Sequence, residues 1–543
     1  MKHIFTKLAK PFLVVLFCFG IFLHISFLDW GSPFYFHPDE RQNIAYPILA
    51  SHSFLLWDQK NFDTGTFPLV VIKATTLFAH TAFPQYFSDS MESIILIARF
   101  FSSMLSLGIV ALLFVLGRKI ANSTCGFFAA LLGLFSTGFI QFSHFGTIEV
   151  WEAFLFLLLF YFCITLSTRL TYTKSTILGS IFAFAFTTKV LSVFLFPVLL
   201  VPFVVHFFKK SRRIHTFKAF CLFLLTVLIA TCVFLPQLFI SFSIFYQSIH
   251  FESSVALGTL PVFYTQEFYS TIPIVFQTLH IFPFLLNPFL TVLLFPSIFV
   301  LSWIAVKKRN LTFIFLILFF SVLFFSQAYF FAKWTRYMIP SLPFIYLLIA
   351  ITIDHFFHKK LAFFLMFFLS GVSIFFGFAY YMTVFLQSDT RLQALQWSQV
   401  HIPVDATILS EPYDLGLLPF QQYFPHIQTF DFYTLDRVNL SQLTTELANN
   451  NYIVLPSQRL IKTRLFLKQN FALGNKFYSR LLDTSLGFQK IYETSCSTIC
   501  HIAYLGNPVY SFEETATVFD RPTLFIFKKI HPLTNIEYEE LLN

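Results

Sequence analysis

Residues 151–168 read WEAFLFLLLFYFCITLST, a run in which Glu152 is the single charged side chain. A helix needs roughly 17–25 mostly apolar residues to cross the hydrocarbon core of a bilayer. This run is long enough. It lacks both the period-two alternation of a half-buried strand and the polar stripe of a surface helix. Immediately before it stand Ser143-His144-Phe145-Gly146-Thr147-Ile148-Glu149-Val150, and before those another apolar run at about 125–142. Two spans joined by a short polar segment that holds a carboxylate set the pattern for most of the chain.

The composition extends the pattern. Of 543 residues, 56 % are hydrophobic, 12 % are charged and 82 are Phe, whereas an average soluble domain carries about 25 % charged residues. Further apolar runs lie at about 11–29, 93–117, 219–241, 284–306, 311–331, 338–353 and 361–385. The stretch 175–207 is too long for one pass, and Lys189 divides it into two short ones. The reading is a polytopic α-helical membrane protein with about 11 transmembrane helices. The segment 67–83 is interrupted by Lys73 and is expected to lie in the interface. The first run resembles a signal peptide, with Lys10 before it, but it has no small-x-small cleavage site and is read as an uncleaved first span.

Charge divides the chain in two. Residues 387–543 hold 12 Lys and Arg against 15 Asp and Glu, while residues 1–386 hold 24 against 12. Residues 1–386 therefore read as the transmembrane domain, with a long first outer loop at about 30–92, and residues 387–543 as a soluble domain. The formal net charge of +9 does not signal nucleic acid, because no basic stripe interleaved with exposed aromatics exists outside the membrane loops. Topology accounts for it instead. With the N-terminus inside, 17 of the 24 basic residues fall in inner loops, among them Lys2, Lys7, Lys10, Lys210, Lys307, Lys308, Arg309, Lys359 and Lys360. The seven exceptions include Arg99, Lys189, Lys333 and Arg336. An odd number of spans places the C-terminal domain outside a plasma membrane. Eleven of the twelve acids in residues 1–386, including Asp39, Glu40, Asp63, Glu149, Glu152 and Glu252, then lie outside or at outer helix ends.

That outer face holds the candidate chemistry. Phe36-His37-Pro38-Asp39-Glu40-Arg41 follows the first span. Adjacent carboxylates at a membrane surface can serve as a general base and a positioning group. The same residues suit a helix start, with Pro38 in the first turn and acids at the positive end of the dipole. Glu149 and Glu152 would sit near the top of a helix, as interface anchors or as part of a site. Arg336 and Lys189 are cations where the positive-inside trend does not put them, and an Arg fork is suited to a phosphate. Snorkelling to the interface is the alternative, and for Lys333 it is the better account. Topology brings all four places to one face, which suits a lipid-linked phosphate and a deprotonated nucleophile.

The same segments carry a family resemblance. The chain resembles the dolichyl-phosphate-mannose–protein mannosyltransferases and their bacterial and archaeal relatives in the polytopic C-type glycosyltransferase superfamily. Asp39-Glu40 stands where that family has its first acidic motif, followed by Phe62-Asp63-Thr64-Gly65-Thr66-Phe67-Pro68-Leu69. Ser143-His144-Phe145 with Glu149 resembles the second acidic segment, where relatives often carry Asp. Thr188-Lys189 matches a Thr-Lys pair, and Lys333-Trp334-Thr335-Arg336-Tyr337-Met338-Ile339-Pro340 with Pro343 resembles an Arg-Tyr-x-x-Pro-x-x-Pro segment. In the soluble part, Glu411-Pro412-Tyr413-Asp414, Ser457-Gln458-Arg459 and Phe519-Asp520-Arg521-Pro522 look like an outer-domain pattern of prokaryotic members, with Tyr413 where relatives often carry Trp.

The resemblance implies the transfer of a hexose, mannose first, from a polyprenyl phosphate to an acceptor hydroxyl at the outer face, with inversion at the anomeric carbon. It implies Asp39 as the base, Glu40 as the group that orients Asp39 or the acceptor, and Glu149 as support. Arg336 and Lys189 would hold the donor phosphate, with His37, His144 and Lys333 as further supporting candidates. The partners implied are the lipid donor and a protein, lipid or glycan acceptor. No cofactor is implied and no divalent-metal cluster is visible in the sequence, so metal independence is expected. The competing class is a lipid-linked oligosaccharide flippase or polymerase, or another transporter. Such proteins usually show internal repeats and broken helices at mid-bilayer, and no repeat is found here.

Five of the seven cysteines lie in spans or at their ends and read as small apolar residues. An outer, oxidising compartment allows a disulfide between Cys496 and Cys500. The domain from about 387 reads as α/β, with strand-like runs at 407–410, 452–455 and 524–527 and helices at 389–400 and 440–449.

Overall fold

The computed structural model describes residues 2–543 except 61, 63, 210, 211, 414, 438, 439, 511, 512 and 514, with side chains from residue 14 onward save those of 436, 437 and 515. The side chains of Lys2, Lys7 and Lys10, and residues Asp63, Lys210 and Asp414, all named above, lie outside the described residues. The chain forms two units. One comprises Met1–Leu28, Asp39–Leu257 and Pro273–Phe378, the other Asp29–Pro38, Gly258–Ile272 and Ala379–Asn543.

The first unit is helical. Among the described residues, eight helices of the chain are long and apolar enough to cross a membrane, from Met91–Ile120 to Lys359–Val384, whose last turns fall in the second unit. The pair Ser123–Leu134 and Thr137–Ser143 is apolar enough to pass the same test together and bends by 56° at its break, the geometry of a broken span or a re-entrant loop. The 17-residue helix Tyr172–Thr188 and the helix Lys2–Ile25 are also apolar. The division expected within 175–207 falls at Lys189, which is extended (φ −155°, ψ 126°) between Tyr172–Thr188 and the tight turn Val190–Leu195. The apolar segment within the first loop, 67–83, forms the helix Thr66–Ala82.

Glycine sets two close approaches in this unit. A Cβ on Gly126 would lie 2.4 Å from the Phe114 carbonyl oxygen and one on Gly117 would lie 2.6 Å from Gly126 Cα, so Met91–Ile120 and Ser123–Leu134 pack backbone to backbone there. A Cβ on Gly65 would fall 2.0 Å from the Thr187 carbonyl oxygen, and the Gly65 amide donates to the Thr188 carbonyl at 3.0 Å. That contact fixes the start of Thr66–Ala82 beside Lys189.

The second unit is built on a five-stranded sheet of β1 (Ile408–Ser410), β2 (Ile427–Thr429), β3 (Tyr452–Leu455), β4 (Phe488–Glu493) and β5 (Phe525–Lys529), in the order β2-β1-β3-β5-β4. β1 is parallel to β2 and β3, while β5 runs antiparallel to β3 and β4. The helices Thr390–His401 and Leu440–Asn449 fall where the sequence predicts them, and β2 and β4 are additions to it. Two separate earlier segments, Asp29–Pro38 and Gly258–Ile272, join this unit. Phe36 lies under the Arg391 guanidinium at 3.9 Å, and Phe263 packs against Tyr413 and Tyr433 at 4.7 and 4.3 Å between ring centroids. Cys496 and Cys500 form a disulfide.

Candidate active site

Asp39 opens a wide π-type turn, Glu40–Ala45, that runs into the helix Tyr46–Ala50. Side chains of adjacent residues on a helical backbone point about 100° apart, so Asp39 and Glu40 face different neighbours. Asp39 Oδ2 accepts a hydrogen bond from Arg336 Nη1 at 2.5 Å, and Oδ1 accepts from Asn43 Nδ2 at 3.3 Å. The Asp39 and Arg336 side chains keep 26 % and 32 % of their surface, so both remain open to a ligand.

Glu40 turns into the bundle. Arg99 donates to it through Nε at 2.8 Å and Nη2 at 2.7 Å, and the Gly146 amide donates to its Oε1 at 2.6 Å. Both charged side chains are fully buried. Here the geometry departs from the sequence expectation. Glu40 does not line the pocket that Asp39 faces, and its bidentate pair ties the first outer loop to Met91–Ile120 and to the turn before Glu149. Arg99, an exception to the positive-inside trend that sequence reading left without a role, is its partner.

Glu149 begins the helix Glu149–Thr168, where an acid suits the positive end of the dipole. Its side chain is buried and Oε2 has no hydrogen-bond partner among the described residues. One turn on, buried Glu152 pairs with Lys189 Nζ at 3.4 Å, and that ammonium lies 5.2 Å from the Tyr337 ring. Arg336 stands over the Trp334 ring at 4.7 Å. Asp39, Glu149, Lys189 and Arg336, with Glu252 and Tyr337, line one pocket of about 80 Å³. Asp39, Glu149 and Glu252 all act electrostatically on the Arg336 guanidinium.

The supporting candidates fall elsewhere. His37 packs its ring on Phe519 at 4.6 Å in the second unit. His144 is fully buried, with Nε2 at 2.8 Å from the Ser26 carbonyl and Nδ1 at 2.8 Å from that of Ile140. It ties the turn before Glu149 to the end of the first helix. Neither histidine lines the pocket. Lys333 does not snorkel. It is 3 % exposed, its ammonium donates to the Phe331 carbonyl at 3.0 Å, and burial pushes its pKa down to about 8. Glu252 is a charged pocket residue that sequence reading did not single out. It stood among eleven outer acids, and only the packing of its helix separates it from the rest.

A family model described as dolichyl-phosphate-mannose-protein mannosyltransferase matches residues 45–240. No curated protein matches the chain. Among solved structures, the Archaeoglobus fulgidus oligosaccharyltransferase tethered with an acceptor peptide containing the NVT sequon is similar at a TM-score of 0.50 and 11 % identity, over 96 % of this chain and 89 % of that one. The same archaeal enzyme, AglB, in complex with an inhibitory peptide and a dolichol-phosphate gives 0.49 and 12 %, over 97 % and 89 %. ArnT from Cupriavidus metallidurans bound to undecaprenyl phosphate gives 0.45 and 12 %, over 82 % and 93 %. At a TM-score of 0.50 the first of these shares its fold with this chain, and residues 45–240 match the family model.

Proposed function

We propose that this protein is an integral-membrane glycosyltransferase that moves a hexose, mannose first, from a polyprenyl-phosphate carrier to an acceptor hydroxyl at the outer face of the cell membrane, with inversion. The carrying observation is the convergence of Asp39, Glu149, Lys189 and Arg336, from four separate stretches of sequence, on one pocket. Asp39 takes the proton of the acceptor hydroxyl as its oxygen attacks the anomeric carbon. The bond from that carbon to the phosphate oxygen breaks, and its electron pair leaves with the phosphate. Arg336 and Lys189 hold the phosphate as charge builds on it, a contribution on the order of 3–4 kcal/mol for one well-placed donor. Arrival of the phosphate at Arg336 also draws that cation away from Asp39 and leaves the carboxylate to the acceptor.

The matching family's description names a dolichyl-phosphate-mannose donor and a protein acceptor, which supports mannose as the first sugar to test and a protein hydroxyl as the first acceptor, ahead of a lipid or glycan. The sorting of Lys and Arg supports an outer active face and an outer C-terminal domain. The test is incubation of the purified protein with labelled polyprenyl-phosphate mannose. Release of polyprenyl phosphate with label on the acceptor supports transfer, whereas movement of intact donor across a vesicle without bond cleavage overturns it. Asp39→Asn is expected to lower turnover by roughly 10²–10⁴-fold with normal expression, and near-normal turnover would sink the assignment of the base.

A further inference from the structure

The turn at 144–148 joins the helix Thr137–Ser143 to the helix Glu149–Thr168. Three contacts with separate elements pin it. His144 Nε2 lies 2.8 Å from the Ser26 carbonyl, the Gly146 amide donates to Glu40 Oε1 at 2.6 Å, and Ser102 Oγ donates to the Thr147 carbonyl at 3.4 Å. A side chain carried on this turn is therefore held in place before any ligand arrives.

Thr147 is such a side chain. A threonine beside a helix start usually caps it. Here Ile148 takes the cap position with no side-chain cap bond. Thr147 is 6 % exposed, and its Oγ1 has no hydrogen-bond partner among the described residues. Two residues on, Glu149 is 4 % exposed with Oε2 in the same condition. Both line the pocket of Asp39, Lys189 and Arg336. Buried polar atoms of folded proteins are nearly always satisfied. Two that are not, on one rigid turn in the wall of one pocket, point to a ligand.

Their chemistry says what kind. An ionised carboxylate oxygen accepts only, whereas a threonine hydroxyl donates one hydrogen bond and accepts two. The phosphate of a glycosyl phosphodiester brings acceptors only, and its negative charge is repelled by Glu149. Hydroxyl groups satisfy both atoms. The acceptor substrate brings one reacting hydroxyl, which is assigned to Asp39, while a hexose ring carries several on adjacent carbons.

Resting on the donor reading above, we infer that Thr147 and Glu149 together hold adjacent hydroxyls of the transferred sugar. Glu149 Oε2 accepts from one hydroxyl, and Thr147 Oγ1 pairs with its neighbour. Thr147 is then a residue that determines specificity, because a site built to bond a hydroxyl rejects a sugar that lacks it by leaving its own buried groups unpaired.

The test is a binding titration of the full-length detergent-solubilised protein without acceptor. The ligands are sugar-free polyprenyl phosphate, its mannosyl, glucosyl and galactosyl forms, and the monodeoxy analogues of whichever form binds tightest. In the wild type, removal of either of two adjacent hydroxyls should weaken binding roughly tenfold or more. Thr147→Val keeps the shape and removes the hydroxyl, and should bring the parent donor to within about twofold of one of those two analogues. It should retain the affinity for sugar-free lipid, and Thr147→Ser should keep the wild-type discrimination. Glu149→Ala should level the other analogue with the parent. A wild type indifferent to every deoxy position, unchanged discrimination in Thr147→Val, or equal loss of sugar-free and sugar-bearing lipids in that variant would each overturn the inference. So would a discrimination abolished by EDTA, which would give the two oxygens to a cation. Arg336→Ala tests the underlying reading separately. If it leaves sugar-free polyprenyl phosphate bound as in the wild type, the phosphate assignment fails whatever Thr147 does.

Discussion

Asp39 and Glu40 are chemically alike and adjacent, yet one faces a pocket and the other a buried guanidinium. The residue types were visible in the sequence, but the direction of each side chain depends on the π-type turn that begins between them. Glu40→Gln removes one partner of a fully buried pair and leaves the Arg99 charge uncompensated. It is expected to cost about 3–5 kcal/mol of stability, read as a lowered thermal midpoint in detergent, with sugar-free polyprenyl phosphate still bound by the fraction that folds. A catalytic role would give the reverse pattern. Lys333 carries a different signature. Its folded pKa, about 8, lies below the ordinary lysine value of 10.5. Below about pH 8 the side chain is charged in both folded and unfolded states, and the burial cost is present in full. As pH rises from about 8 toward 10.5 the folded state sheds its proton first and stability recovers. Lys333→Met should therefore stabilise the protein at pH 7 by about 1–3 kcal/mol, with the gain shrinking by pH 10. A gain independent of pH would point to packing instead.

At the level of elements, the helices were legible wherever a single apolar run is long enough, and so was the break at Lys189, because a charge inside such a run must find a partner. Glu152 is that partner. In the soluble part, β1, β3 and β5 are nearly continuous apolar runs and were readable. β4, Phe-Gln-Lys-Ile-Tyr-Glu, is half polar with a register shift between Lys490 and Tyr492, and β2 has three residues, two of them exposed. Neither has a period strong enough to announce a strand. The sequence also could not show that Gly117 and Gly126 meet. Gly126→Val places its Cβ against the Phe114 carbonyl and should force the two helices apart. Overpacking of this kind costs about 1–3 kcal/mol or more, and the expected result is reduced recovery of folded protein from membranes, with Gly371→Val, where a Cβ meets open space, as the control.

Across the whole molecule, the charge sorting makes a topological forecast. Thiol-reactive impermeant labels should reach Lys308→Cys and Lys359→Cys only from the cytoplasmic side, and Ser53→Cys and Phe87→Cys only from the other. Labelling of both pairs from one side would refute the orientation. The division into units was only partly legible. A net-charge change near residue 387 marks the start of the less apolar sequence, but nothing local in Asp29–Pro38 or Gly258–Ile272 says that their aromatic side chains pack on residues beyond 390. That membership has a consequence in time. The ring of Phe263 packs on Tyr413 and Tyr433, and that of His37 on Phe519. At a synthesis rate of roughly 5–20 residues per second, Phe263 waits roughly 10–30 s for Tyr433 to be made, and His37 waits longer still for Phe519. Segments made early must remain without their partners through most of translation, which makes these two loops the places where premature aggregation or a holding chaperone would act first.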